Sequence, residues 1–243
     1  RNATIGGNVE VFNSSSRVFG EPTGSKTKVL SNAGAVQFLT STVYYDEEGR
    51  PFQSLSDNIK GGTDISTIQY HFDGRILSSV QTHNNPGTVY TNFSIVTKFK
   101  FDKVGRITGI GKKLGINILV NGADLVNSAN MQDIREEKDQ LYKITASYKY
   151  NELGKTVRKV LAPAYNSGAG LETIDYSFNI KGWLTGINKE YALAESGNQW
   201  EHYFGMYIGY DNRDGKFASA QLNGKASGVQ WKSQGDNIAR KFD

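Results

Sequence analysis

The side chains in this 243-residue sequence with the capacity for chemistry are three histidines, scattered carboxylates and three tryptophans. His71, His83 and His202 lack metal-ligand spacing, and no Gly-x-Ser-x-Gly elbow presents a nucleophile. The run Asp211 to Gly215 (DNRDG) has the composition of a calcium loop, but position 12 of such a loop falls on Leu222, where a Glu is needed. Gly109-Ile110-Gly111 lacks the third glycine of a dinucleotide fingerprint. Glu47-Glu48 offers paired carboxylates, as glycosidases use, yet it sits in an expected turn. The chain contains no cysteine, which excludes thiolate metal sites, disulfides and a cysteine nucleophile. The expectation is that the chain has no catalytic, metal or cofactor site and is not an enzyme.

Binding chemistry is the alternative. The net charge is +4, and the densest basic run is KFKFDKVGRITGIGKK at 98–113. There Lys98 and Lys100 alternate with Phe99 and Phe101, which in a strand places lysines on one face and rings on the other. That pattern reads as a half-buried strand, not a nucleic-acid platform. No segment reaches the ~20 apolar residues of a membrane-spanning helix. Trp183 and Trp200 stand where rings are exposed, and they are the candidate contacts for a glycan.

The elements that position these residues follow from a repeat. An aromatic, an Asp or Asn, a short spacer and a Gly recur in VYYDEEGRPF, YHFDGRIL, FKFDKVGRI, YKYNELGKTV, YSFNIKGWL and IGYDNRDGKF. The motif residues are Tyr45, Asp46, Gly49; Phe72, Asp73, Gly74; Phe101, Asp102, Gly105; Tyr150, Asn151, Gly154; Phe178, Asn179, Gly182; and Tyr210, Asp211, Gly215. The copy at Phe72 reads as shortened and the one at Asp211 as lengthened. Lys241-Phe242-Asp243 opens a further, truncated copy. The aromatics lie 27, 29, 49, 28, 32 and 32 residues apart, and the interval of 49 marks an insertion at about 114–140, read as a surface excursion.

Upstream of each motif apolar residues alternate. Phe93, Ile95, Phe99 and Phe101 do so, as do Ile144, Ala146, Tyr148 and Tyr150, and Phe204, Met206, Ile208 and Tyr210. Period two predicts strands that bury this parity. Asp or Asn bonds its own backbone and Gly supplies positive φ, so each motif is a hairpin turn with a structural role. Asn223-Gly224 signals another hairpin, between 217–222 and 225–231. His71 is expected on the polar face of a strand. Residues 1–36 lack the motif, with short strands expected at Thr4–Phe12 and Lys26–Leu30; residues 37–243 form the repeat region. The fold class is all-β: consecutive antiparallel hairpins in a long curved sheet, with an ordinary β-sandwich as the alternative. Unpaired sheet edges lead to an expectation of edge-to-edge self-association. The chain opens at Arg1 without Met or a visible signal peptide, so it reads as a mature or excised segment.

These motifs resemble the Rhs/YD-repeat family, in particular the region preceding the Rhs-associated core in large secreted proteins of Bacteroidetes-type bacteria. The resemblance is carried, in order, by STVYYDEEGRPFQSLSDNIKGG, STIQYHFDGRILSSVQTHNN, YKYNELGKTVRKVL, ETIDYSFNIKGWLTGINKEYA, HYFGMYIGYDN and LNGKASGVQWKSQGDNIARKFD, over about 40–243. It implies a secreted or cell-surface β-spiral shell that encloses a C-terminal effector or toxin domain of the same polypeptide. It also implies an architectural role for the motif residues. The family's core segment with its self-cleavage aspartates is missing from this sequence. A surface carbohydrate-binding or adhesion module, meeting a glycan or host surface, is the alternative function.

Overall fold

A computed structural model describes residues 18, 20–30, 36–87, 92–116, 142–194, 202–211, 215–221, 223–235 and 238–243. The protein is all-β and antiparallel. It divides into two compact units, Arg1–Lys143 and Ile144–Asp243.

Among the described residues the first unit is a meander in which each strand pairs with its sequence neighbour. The strands are β1 (Gly24–Val29), β2 (Gln37–Tyr45), β3 (Pro51–Asp57), β4 (Thr63–Tyr70), β5 (Ile76–Asn84), β6 (Asn92–Phe101) and β7 (Ile107–Ile116). The expected strand at Lys26–Leu30 is β1, displaced by one or two residues. The strand expected at Thr4–Phe12 lies outside the described residues. So does most of the expected excursion at 114–140, although its first three residues belong to β7.

The covered face of this sheet departs from the expected parity. Gln53, Thr67, Val80 and Val96 stand in one cross-strand row, with Val96 at 0% exposure. Polar members of this face are paired across strands. Gln53 Nε2 donates to Thr67 Oγ1 (3.0 Å), Ser78 Oγ donates to Gln69 Oε1 (2.9 Å), and the Thr82 and Ser94 hydroxyls meet at 3.2 Å. Such pairing makes burial of polar side chains tolerable. The expected apolar row of β6 instead leaves Ile95 at 37% exposure. Val96 and Ile95 are both apolar, so alternation alone did not identify the covered side. Lys100 is exposed as expected, whereas the Lys98 ammonium lies 4.3 Å from the Tyr142 ring centroid.

The second unit contains β8 (Lys143–Tyr150), β9 (Thr156–Leu161), β10 (Glu172–Phe178), β11 (Leu184–Ile187), helix α1 (Lys189–Leu193), β12 (Phe204–Gly209), β13 (Gly228–Ser233) and β14 (Arg240–Phe242). Pairing is again sequential and antiparallel. Here β12 buries Gly205, Tyr207 and Gly209 rather than Phe204, Met206 and Ile208. The glycines explain the reversal. A Cβ on Gly205 would lie 2.8 Å from the Asn188 carbonyl and 2.9 Å from the Ala192 nitrogen, so α1 rests against bare backbone.

The hairpin expected at Asn223-Gly224 does not form between two strands. Residues 217–221 are not a strand, and β13 pairs with β12 and β14. Phe217 is buried and stacks on Tyr207 at 5.5 Å. Its ring lies over Gly209 and Gly228, a facing pair, and side chains at either position would collide with it. The ring is therefore a plug in a slot made by two glycines. Replacing Phe217 by Ala empties that slot, and core Phe→Ala changes cost about 3–5 kcal/mol. A loss of about 3 kcal/mol or more in urea-unfolding stability is expected for Phe217→Ala. A loss below about 1 kcal/mol would show that the plug does not hold the second unit.

Candidate functional site

Five motif copies form one and the same turn. Counting the aromatic as the first position, the second-position N–H donates to the sixth-position carbonyl. The pairs are Asp46 to Arg50, His71 to Arg75, Asp102 to Arg106, Asn151 to Lys155 and Asn179 to Trp183, at 2.8–3.0 Å. The fifth-position glycine donates back to the second-position carbonyl in every copy, at 2.8–3.1 Å. Those glycines, Gly49, Gly74, Gly105, Gly154 and Gly182, have φ between +76° and +87°, which non-glycine residues adopt only under strain. In each hairpin a register shift falls at the aromatic, which then pairs with the seventh position.

The second copy therefore has a different frame from the one expected. Tyr70 is its aromatic, His71 takes the Asp position, and Phe72 and Asp73 are its exposed tip; the copy is of normal length. His71 accordingly lies in the turn and not within a strand. The carboxylate has moved rather than disappeared. In copies one and three, Asp46 and Asp102 accept from the sixth-position backbone N–H (2.8 Å in both) and from the arginine Nε (2.6 Å in both). In copy two, Asp73 does this work, accepting from Arg75 N (3.1 Å) and Nε (2.7 Å), with His71 Nδ1 2.8 Å away. Asn151 and Asn179 keep the sixth-position backbone bond, accepting from Lys155 N and Trp183 N, both at 2.9 Å.

The sixth-position side chain reaches the next turn. The Arg50 guanidinium lies 4.8 Å from the Tyr70 ring centroid, that of Arg75 4.9 Å from Phe101, and the Lys155 ammonium 4.9 Å from Phe178. Trp183 occupies the same position and packs on Tyr210 at 5.2 Å. Every successive pair of turns within each unit makes this contact. Tyrosine hydroxyls add a second tie: Tyr70 donates to the Pro51 carbonyl (3.0 Å) and Tyr210 to the Leu184 carbonyl (3.0 Å), each the seventh position of the preceding turn. Tyr45 donates likewise to the Pro22 carbonyl (2.9 Å). The glycines leave room for the reach. A Cβ on Gly105 would stand 2.7 Å from Arg75 Nη1, and one on Gly182 2.9 Å from Lys155 Nζ.

This explains Trp183: it is the stacking member of its turn, with Lys181 Nζ also 4.8 Å from its centroid. Trp200 lies outside the described residues. The sixth copy departs from the rule, since the Tyr210 carbonyl accepts from Gln221 N (2.6 Å) and Gly215, at φ +65°, leads into the Phe217 plug. A turn of the same kind, missed in the sequence, closes β3 to β4. Asn58 N donates to Gly62 O (2.9 Å) and Gly61 N to Asn58 O (3.0 Å); its signal was Asn-x-x-Gly in DNIKGG.

All three histidines stand beside carboxylates, an arrangement that orients an imidazole for proton transfer; for His71 the partner is Asp73 of its own turn. His83 Nδ1 is 2.5 Å from Asp64 Oδ1 on the exposed face of β4–β5. His202 Nδ1 is 3.1 Å from Glu172 Oε1, which is buried. Glu172 also accepts from Asn188 Nδ2 (3.3 Å) and Tyr203 N (3.4 Å), and Asn188 Nδ2 donates to the Phe204 carbonyl (2.9 Å). On β13, Lys232 is buried, donates to the Ala194 carbonyl (3.2 Å) and lies 5.0 Å from the Tyr191 ring centroid. What this cluster accomplishes is to join α1 to β10, β12 and β13. Among the described residues no three His, Asp or Glu side chains come together as a metal site.

Two measurements test the ladder. The hydrogen bonds from Arg75 hold the Asp73 carboxyl well below the usual carboxylate range. Desolvation pushes the Asp102 carboxyl up, but the bonds from the Arg106 backbone and guanidinium and from Val104 outweigh it, and the net direction is down. A depressed carboxyl stabilises the fold above its unfolded value of about 4 and loses that stabilisation as pH falls below it. The double variant Asp73→Asn/Asp102→Asn is expected to lose less stability than the wild type between pH 5 and 2, read by urea unfolding; equal slopes would refute the assignment. A double-mutant cycle of Lys155→Ala with Phe178→Ala is expected to return a coupling of about 0.5–1 kcal/mol, and zero coupling would remove that rung.

No protein-family model matches the chain, and no curated protein matches its sequence.

Proposed function

We propose that this chain is a non-enzymatic wall segment of a secreted or cell-surface protein of the Rhs/YD-repeat kind, whose hairpins enclose a C-terminal effector domain of the same polypeptide. The observation that supports this reading is how the motif residues are used. The aromatic, the Asp or Asn, the glycine and the following Arg, Lys or Trp all serve to close one turn or to attach it to the next. A motif that encoded a reactive site would leave a nucleophile, a base or a charged group aimed at a substrate. Here the recurring groups face their own neighbours, which is what a wall built by repetition requires.

Protease protection of the complete native polypeptide tests this. The part following the repeat segment is expected to resist digestion in the folded protein. It should become cleavable when Arg50, Arg75 and Lys155 are all replaced by Ala and the wall loosens. Rapid digestion of that part in the intact wild-type protein would overturn the proposal.

A further inference from the structure

The five equivalent turns point their third and fourth positions into solvent. In four of them one of these residues is a large apolar side chain: Phe72 at 90% exposure, Val104 at 74%, Leu153 at 81% and Ile180 at 102%. Turn tips ordinarily carry Gly, Asn, Asp or Ser, and exposed apolar residues are unremarkable when scattered singly. These are not scattered, because they recur at the tips of equivalent turns. The other tip residue of each is charged: Asp73, Lys103, Glu152 and Lys181.

The charges are opposite on two successive turns in each unit, Asp73 then Lys103 in the first and Glu152 then Lys181 in the second, while the tip of the first turn, Glu47 and Glu48, is wholly acidic. In the second unit, one turn presents Glu152 and Leu153, and the next presents Ile180 and Lys181. These turns close β8–β9 and β10–β11, so they share one edge of the sheet, two strand spacings or about 10 Å apart. We infer that this edge is a self-complementary docking surface for a second copy of the chain. About a two-fold axis passing between the two turns, Leu153 meets Ile180 of the second copy while Glu152 meets its Lys181, and the same two contacts repeat on the other side of the axis. This is the isologous arrangement, in which one patch serves both partners.

The first unit shows the same opposition with Phe72 and Asp73 followed by Lys103 and Val104. Its anion is already engaged, since Asp73 is bonded by Arg75 at 2.6 and 2.7 Å and lies beside His71. In the second unit the Lys181 ammonium lies over the Trp183 ring, but among the described residues neither it nor Glu152 is held in an ion pair, so the second unit is the better surface. The opposed charges also favour a second copy over an anionic lipid surface, which selects clustered cations. Two tips per copy bury far less than the ~1,200 Å² of a stable interface. The association is accordingly weak, with a dissociation constant on the order of 0.1–1 mM.

Sedimentation equilibrium of the whole chain over that concentration range tests the inference. The mean mass of the wild type is expected to rise toward twice the monomer. Leu153→Asp/Ile180→Asp should weaken association by about tenfold or more, with unchanged circular dichroism because both residues are exposed. Glu152→Lys alone and Lys181→Glu alone should each weaken it, and the double variant Glu152→Lys/Lys181→Glu should restore it. A constant monomer mass would overturn the proposal. So would a charge swap that fails to restore association, association indifferent to all four variants (the mark of pairing between open sheet edges), or binding to anionic vesicles without self-association.

Discussion

The contact between one turn and the next carries the constraint on which the rest of each unit depends. Hydrogen bonding between antiparallel strands does not choose a register, because a strand can slip by two residues and recover every bond. Register is normally set by contrast between an apolar face and a polar one. That contrast is weak here: β3, β4 and β5 are built largely from Ser, Thr, Gln and Asp. The Asp or Asn turn fixes register inside a hairpin, and the glycine at positive φ fixes where the turn falls. Register between hairpins needs something else. The sixth-position side chain lying over the next aromatic supplies it, because a slip of two residues would carry the ring out of reach of the guanidinium or ammonium.

Substitutions within the ladder show which properties are required. Asp46, Asp102, Asn151 and Asn179 all accept the sixth-position N–H, so an oxygen acceptor is needed there and a charge is not. His71 cannot reproduce that acceptor in the same way, and Asp73 supplies it from the tip instead. Trp183 cannot pair with a carboxylate, and the residue at the second position of its own turn is Asn179, which asks for no cation. The two changes in that turn are consistent with each other. What recurs is the geometry of a donor, an acceptor and a cation or a ring packed on the next aromatic.

Local features of this arrangement were legible in the sequence, and non-local ones were not. Asp or Asn with a glycine three residues later identifies a turn through interactions of a few residues, so the four turns at Asp46, Asp102, Asn151 and Asn179 and their strands are legible. The frame of the copy at Tyr70 is not legible, because Phe72-Asp73-Gly74 imitates the motif by composition while the hydrogen bonds of the turn begin at His71. The covered face of β6 is not legible either, because Ile95 and Val96 satisfy either parity. Phe217 in the slot of Gly209 and Gly228 joins positions that only the pairing of β12 with β13 brings together. The cluster of Glu172, Asn188, His202 and Lys232 draws its members from four separate segments, and no spacing announces it.

That cluster also shows why the second unit, while keeping the repeating turns, differs from the first on its covered face. Helix α1 has five residues, too few to be stable by its own hydrogen bonds. Its last carbonyls would be unsatisfied wherever water is excluded. Gln230 Nε2 donates to the Ala192 carbonyl (2.9 Å) and Lys232 Nζ to that of Ala194. At its start Asn188, left-handed at φ 42°, donates its N–H to the Asp175 carbonyl and accepts the Asp175 N–H on its side chain (both 2.8 Å). The helix is thus held at both ends by strands, over glycines that admit it. Lys232 could not be buried on a sheet face without such an acceptor, since an unpaired buried ammonium is far costlier than a paired one. Helix, lysine and glycines therefore depend on one another, and a sheet carrying them can no longer repeat the pattern of β2 to β7 on that face.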